Sequence, residues 1–115
     1  GFLCALTSVA GDRGRPRNHA YGSTKAAVTA YLEGLRARLS REGLSVVNVE
    51  PGVVDTGMTW GLPPGPPKAS AERVARDVLR GIARDRAVVY TPWLWRWVMA
   101  IIRCLPDRVF RRLDL

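Results

Sequence analysis

Side chains that bind transition metals are scarce in this sequence, which has one histidine, His19, and two cysteines, Cys4 and Cys104. Neither cysteine belongs to a Cys-x-x-Cys pair, so the spacing typical of a zinc site is missing and we expect no bound metal. Each cysteine stands in an apolar run, which predicts buried thiols in a reducing compartment, the cytoplasm, rather than a disulfide. Residues 1–6 are too short for a secretory signal and lack its basic lead.

Long hydrophobic runs and acidic side chains are also few. The apolar run at residues 93–102 is shorter than the roughly 18 residues that span a bilayer. Ten acidic residues face 18 lysines and arginines, and a net charge of +8 favours a phosphorylated ligand, an anionic lipid or a nucleic acid. Aromatic side chains are not interleaved with basic ones over a predicted sheet face. We therefore expect no nucleic-acid partner.

The last segment, residues 93–115, is rich in tryptophan and arginine and has the pattern of an amphipathic helix. Tryptophans beside arginines suit a segment that lies in a membrane interface. A helix packed over a substrate cleft or at a subunit interface would have the same composition. The sequence leaves both interpretations open.

Before that segment, strand-like and helix-like stretches alternate. Residues 2–7 and 45–50 are short apolar runs typical of buried parallel strands, and residues 19–42 between them have helical periodicity. Gly43 is placed to end this helix, and Ser70 is placed to cap a second one. Residues 87–90 form a third strand-like run. The order predicts an α/β fold with β-α-β-α-β connectivity, followed by C-terminal helices. The second helix should bury Val74, Val78, Leu79 and Ile82.

Three side chains around the start of the first helix have the chemistry for proton transfer. Tyr21 and Lys25 are four positions apart and so lie on one helix face. The glycine-containing loop before the helix can fold back and bring the Ser8 hydroxyl towards the phenol. An ammonium group beside a phenol favours the phenolate. The tyrosine can then give a proton to a carbonyl oxygen or take one from an alcohol, while a serine hydroxyl hydrogen-bonds to that oxygen.

These residues resemble the short-chain dehydrogenase/reductase family. Ser8 precedes Tyr21 by 13 positions, Tyr21 and Lys25 form a Tyr-x-x-x-Lys motif, and residues 51–56 are similar to the family's Pro-Gly-x-x-x-Thr segment. The resemblance implies the C-terminal portion of a Rossmann-like, doubly wound parallel sheet. Residues 1–92 would be part of the catalytic domain, with residues 56–69 as its substrate loop.

The resemblance also implies an oxidoreductase that interconverts a carbonyl and an alcohol by hydride transfer, with NAD or NADP as cofactor and Tyr21 as general acid/base. The implied catalytic residues are Ser8, Tyr21 and Lys25. The implied cofactor contacts are Tyr21, Lys25, Pro51, Gly52, Val54 and Thr56. The implied substrate contacts are Ser8, Met58 and Trp60. The tryptophan-rich segment favours an apolar or lipid-linked small molecule as substrate, with peripheral membrane contact.

Three parts of the family pattern are absent from these residues, one of them the acidic or basic residue after the family's second strand that selects NAD or NADP. No glycine-rich Gly-x-Gly-x-x-Gly turn for the cofactor pyrophosphate occurs here, and the family's upstream catalytic asparagine is missing too. The 115 residues alone are therefore expected to bind dinucleotide poorly and to be inactive. The alternative is a non-catalytic relative that binds a partner or a membrane. By resemblance, the helix with the Tyr-Lys pair would form a homodimer or homotetramer.

Overall fold

The computed structural model describes residues 1–16, 19–52 and 70–113. Within these ranges the strands β1 (Phe2–Leu6), β2 (Ser45–Pro51) and β3 (Val88–Thr91) form one parallel sheet in the order β1-β2-β3. Helix α1 (His19–Leu39) joins β1 to β2, and α2 (Ala71–Ala83) lies between β2 and β3 in sequence. Helices α3 (Leu94–Cys104) and α4 (Asp107–Phe110) follow β3. The predicted β-α-β-α-β order is confirmed.

Two helix boundaries follow from single residues, as predicted. Gly43 has a φ of 75°, in the left-handed region, and its amide donates to the Ser40 carbonyl (3.2 Å), ending the 3₁₀ turn that extends α1. Ser70 caps α2, because its Oγ accepts a hydrogen bond from the Arg73 amide at 3.2 Å.

Helices cover both faces of the sheet. Val49 and Val89 are register partners and lie on one face, where Gly81 of α2 packs directly against the Val89 side chain. Side chains alternate along a strand, so Val46 lies on the opposite face. There Leu32 of α1 lines a small cavity together with Val46. The sheet is therefore doubly wound, as the resemblance implied.

The core is centred on β2, in which Val46, Val47 and Val49 are almost fully buried. β1 is more exposed than we predicted for a buried strand. The accessible fractions of Phe2 and Leu6 are 60% and 63%. Within the described residues β1 pairs only with β2, so it is an edge strand.

Two further predictions of burial are wrong. Leu79 is 67% exposed, because α2 turns Gly81 towards the sheet and leaves Leu79 on the solvent side. Cys104 is exposed at the end of α3, whereas Cys4 is half-buried and its burial raises the pKa of its thiol. Both cysteines are free thiols.

Candidate active site

The carboxyl ends of β1 and β2 and the start of α1 meet at one edge of the sheet. Helix α1 returns the chain from the end of β1 to the start of the parallel strand β2, so its first turns lie beside these strand ends. Ser8 follows β1, Tyr21 and Lys25 lie in the first two turns of α1, and Pro51 ends β2. Parallel α/β sheets bind their ligands at this edge. Four other predicted site residues lie outside the described residues: Val54, Thr56, Met58 and Trp60.

The turn that carries Ser8 packs on the backbone of α1 between Tyr21 and Lys25. A Cβ atom added to Gly22 would lie 2.7 Å from the Ala10 carbonyl oxygen. One added to Gly11 would lie 2.8 Å from the Lys25 carbonyl carbon. Both glycines therefore allow turn and helix to touch through main-chain atoms. This role of Gly22, inside the Tyr-x-x-x-Lys motif, was missed by the sequence analysis, which treated the position only as spacing.

The phenol and the ammonium group of the motif are neighbours. The Lys25 Nζ lies 5.5 Å from the centroid of the Tyr21 ring, within the range of a cation–π contact. The Tyr21 side chain is half exposed, so a ligand can reach its hydroxyl. The Ser8 Oγ accepts a hydrogen bond from the Ala10 amide (3.1 Å), which leaves its own O–H to donate to a ligand. His19 sits at the helix start, with Nδ1 3.2 Å from the Pro16 carbonyl oxygen.

We predict that Gly22→Ala destabilises the chain, whereas Gly34→Ala in the same helix does not. The new methyl group at position 22 would overlap the Ala10 carbonyl and push the Ser8 turn away, at a cost of about 1–3 kcal/mol. Apart from its chain neighbours and the backbone of its own helix, no described heavy atom lies within 4 Å of the Cβ position at Gly34, so alanine there should gain about 0.5–1 kcal/mol from its higher helix propensity. Urea unfolding of the two variants measures both effects, and equal effects would contradict the packing described here.

The C-terminal segment is fastened to the loop that follows Ser8. The Arg13 Nη1 donates hydrogen bonds to the carbonyl oxygens of Ile102 (2.5 Å) and Leu105 (2.7 Å). The guanidinium also lies 3.8 Å from the centroid of the Phe110 ring. One side chain thus links the end of α3 and Phe110 of α4 to the loop beside the site.

A second contact joins this segment to the end of β2. The indole of Trp95 packs on Gly52 so closely that any side chain at position 52 would have to displace it. The Gly52 amide donates to the Thr91 carbonyl at 3.1 Å, which holds the turn after β2 against β3. The requirement for glycine in the Pro51-Gly52 pair therefore has a packing cause that the motif alone did not reveal.

Two groups of hydrogen-bonded polar side chains lie beneath the site, on the α1 face of the sheet. The Thr7 hydroxyl donates to Asn48 Oδ1 (2.7 Å), and Asn48 Nδ2 donates to Glu50 Oε1 (3.3 Å). From β3, the Tyr90 hydroxyl donates to Asp12 Oδ2 at 2.7 Å. Glu50 is 1% exposed, and its Oε2 has no hydrogen-bond partner among the described residues. Sequence analysis missed this group, although Asn48 and Glu50 stand at alternate positions of an otherwise apolar strand.

Burial, followed by the neighbouring Asp12 carboxylate, raises the pKa of Glu50 to about 8, and Tyr90 and then Arg103 offset this in part. Burial and the bond to Asp12 likewise raise the pKa of Tyr90. The Glu50 carboxyl is therefore predominantly protonated at neutral pH.

This buried acid should make folding stability fall as pH rises. Between the ordinary Glu pKa of 4.5 and the raised value of about 8, the folded chain holds a proton at Glu50 that the unfolded chain has lost. The free energy of unfolding should then decrease by up to about 1.4 kcal/mol per pH unit in this window. Glu50→Gln should flatten the profile, whereas the exposed Glu42→Gln should leave it unchanged. Urea titrations from pH 5 to about pH 8 test this, and an identical slope for parent and Glu50→Gln would refute it.

The parallel sheet with helices on both faces is Rossmann-like, and Ser8, Tyr21 and Lys25 lie near the carboxyl ends of its strands. The family model for short chain dehydrogenases matches residues 1–66. The chain belongs to this family.

Relatives cover nearly the whole chain. An uncharacterised oxidoreductase of Mycobacterium tuberculosis is 37% identical over 113 residues, which is 98% of this chain and 45% of that protein. An uncharacterised oxidoreductase of Streptomyces coelicolor is 37% identical over 119 aligned positions, again 98% of this chain and 45% of the relative. The chain thus spans less than half the length of these relatives.

Solved structures show the same fold. A short chain dehydrogenase from Burkholderia cenocepacia, in complex with NADP, superposes with a TM-score of 0.71 and 29% identity over 78% of this chain and 38% of that one. A short-chain dehydrogenase from Sphingobium yanoikuyae, in complex with NADPH, gives a TM-score of 0.73 over 93% of this chain and 46% of its own, at 24% identity. The second likeness is one of fold alone.

Proposed function

We propose that this chain carries the catalytic side chains and the nicotinamide end of the cofactor site of an NAD(P)-dependent oxidoreductase. The observation that carries this proposal is the packing of the Ser8 turn on the Tyr21–Lys25 segment of α1, at the ligand-binding edge of the sheet. The NADP bound to the Burkholderia relative supports the choice of cofactor class. The 115 residues alone would lack the pyrophosphate-binding turn and would be inactive by themselves.

The described residues fit a nicotinamide nucleotide at this edge. Lys25 is half-buried beside the accessible Tyr21 ring, and its ammonium group would bind the ribose hydroxyls together with the tyrosine. The turn formed by Pro51 and Gly52 stands across the same edge, and with Val54 and Thr56 it would hold the carboxamide. When bound, the cofactor supplies or accepts the hydride at the substrate carbon.

The side chains of this chain would move the proton. Tyr21 would donate its phenolic proton to the carbonyl oxygen during reduction and accept one from the alcohol during oxidation. The Lys25 ammonium would favour the phenolate form by its positive charge. The Ser8 hydroxyl would donate a hydrogen bond to the same oxygen and stabilise the charge that develops on it.

Replacement of Ser8 tests this assignment in the protein purified from its source. With a panel of ketones and NADPH or NADH, Ser8→Ala should lower kcat by about 10²–10³-fold through loss of one donor to the reacting oxygen. Ser8→Ala also removes the hydrogen bond from the Ala10 amide to the Ser8 Oγ, which should lower the free energy of unfolding by only about 1 kcal/mol. Ser23→Ala is the control, because the Ser23 hydroxyl donates to the Ala20 carbonyl (2.7 Å) on the exposed side of α1. Equal rates for Ser8→Ala and Ser23→Ala would refute the role of Ser8.

Two further proposals rest on the outer face of α3: that the substrate is apolar, and that this face contacts a membrane. Trp93, Leu94, Trp97 and Ile101 are each more than half exposed and repeat at helical spacing. No helix among the described residues combines the length and hydropathy needed to cross a bilayer. A surface of tryptophans flanked by arginines instead suits the interface of an anionic membrane. The same face would also serve the alternative function, a non-catalytic membrane-binding module.

Vesicle flotation tests this surface. The parent chain should float with phosphatidylglycerol-containing vesicles, and Trp97→Ser should float several-fold less, because it removes an aromatic anchor without touching the packed face. A chain that self-associates through this face would instead show a Trp97-dependent dimer mass without lipid. A dimer or tetramer through α1, the oligomer that we propose by analogy with the family, would keep its mass in Trp97→Ser.

A further inference from the structure

A cavity of about 260 Å³ opens at the β3 edge of the sheet, away from the Ser8–Tyr21–Lys25 site. Its walls come from α2, from β3 with the residues just before it, and from the start of α3. Its lining is strongly basic, with five arginines: Arg73, Arg80, Arg84, Arg86 and Arg96. Nothing in the proposed catalytic function uses this cavity.

The spacing of α2 places three of the arginines on one stripe. Arg80 and Arg84 follow Arg73 by seven and eleven residues, close to two and three turns of helix, so all three project in the same direction. Arg86 and Arg96 reach the same space from other elements. Among the described residues the lining has one acidic side chain, Asp77, which accepts a hydrogen bond from the Thr91 hydroxyl at 2.8 Å.

Electrostatics within the helix explains only part of this cluster. Arg80 and Arg84 lie at the carboxyl end of α2, where the helix dipole favours a cation. Arg73 lies in the first turn, where the dipole disfavours one, and neighbouring guanidinium groups repel each other. A bound anion removes both costs, because guanidinium groups form paired, charge-assisted hydrogen bonds to phosphate oxygens.

We propose that this cavity is a binding site for a phosphate group. Trp93 lines it and is 62% exposed, so an aromatic face stands at the rim of a basic hollow. Two sources offer this chemistry: a soluble phosphorylated molecule, whose ring or apolar part would lie on Trp93, or a phospholipid headgroup. For a lipid, Trp93 would lie in the membrane interface together with the exposed face of α3.

The test compares two double variants that remove the same charge. The cavity variant combines Arg80→Gln with Arg84→Gln and so removes two positive charges from the lining. The control combines Arg38→Gln with Arg41→Gln, which removes two exposed arginines from the carboxyl end of α1 and the turn that follows it. Binding of inorganic phosphate to the protein purified from its source, and to the same protein with each pair of substitutions, is followed by tryptophan fluorescence. We expect saturable binding that weakens at least about tenfold in the cavity variant and less than about twofold in the control.

Vesicles identify the source of the phosphate group. Binding to phosphatidylglycerol vesicles that depends on Arg80 and Arg84, and that inorganic phosphate displaces, indicates a lipid headgroup. Phosphate binding without such vesicle binding indicates a soluble phosphorylated ligand. Absence of both, or equal losses in the two double variants, overturns the proposal and leaves the proposed oxidoreductase site untouched.

Discussion

Tyr21→Phe is expected to lower kcat of the protein purified from its source by about 10²–10⁴-fold, the usual contribution of a positioned general acid/base. The change removes one hydroxyl group and keeps the aromatic ring. Because the Tyr21 side chain is half exposed, its hydroxyl is not needed for the core, and the free energy of unfolding should change by less than about 0.5 kcal/mol. Steady-state rates in both reaction directions give the loss.

Tyr31→Phe is the matched control for this variant. Tyr31 lies on the same helix, ten residues further on, and is 68% exposed. Its hydroxyl has no part in the proposed chemistry, so kcat should stay within about twofold of the parent. If Tyr21→Phe and Tyr31→Phe had equal rates, the proton-transfer role of Tyr21 would be wrong.

Arg13→Ala is expected to release the C-terminal segment from the Ser8 loop. The substitution removes two charge-assisted hydrogen bonds to the carbonyl groups of Ile102 and Leu105, together with the contact over Phe110. The combined loss should be about 3 kcal/mol. Amide hydrogen exchange should show faster exchange in α3 and α4 while β2 stays protected. Urea unfolding gives the change in stability.

Two further variants separate the role of Arg13 from its charge. Arg13→Lys keeps the charge but lacks the planar guanidinium that lies over the Phe110 ring, so it should recover only part of the lost stability. Arg38→Ala removes an exposed arginine from α1 and should have little effect. Unchanged exchange in α3 and α4 of Arg13→Ala would show that the segment is held by other contacts.

Much of the fold could be predicted because its signals are local. Gly43 ends the first helix with a left-handed φ, and Ser70 caps α2, and both functions depend on residues within a few positions. The parallel order of the strands follows from the alternation of strand and helix. The Tyr-x-x-x-Lys spacing likewise places two side chains on one helix face without knowledge of the rest of the chain.

The contacts that build the site from distant segments could not be predicted in this way. Arg13 bonds to Ile102, which lies 89 residues further along the chain. Trp95, which follows β3, packs on Gly52, which follows β2. Periodicity reports which face of a helix is apolar, but it does not report what covers that face. Leu79 and Cys104 were therefore predicted to be buried and are exposed.

The same limit applied to the C-terminal segment, for which the sequence left a membrane interface and a packed helix open. In α3, Met99 is buried and Trp95 packs on Gly52, so one face of the helix is packed against the domain. Trp97 and Ile101 on the other face are exposed. The two interpretations thus refer to different faces of one helix, and the membrane contact that we propose concerns only the outer one.

Titration of the protein purified from its source with NADPH and with NADH, followed by nicotinamide fluorescence, tests the central claim most directly. This measurement needs no knowledge of the substrate. The account predicts saturable binding of at least one dinucleotide, and binding at least about tenfold weaker in Lys25→Ala, through loss of the ammonium contacts to the ribose hydroxyls. No binding of either dinucleotide, or equal affinity in the parent and in Lys25→Ala, would contradict the proposed nicotinamide site.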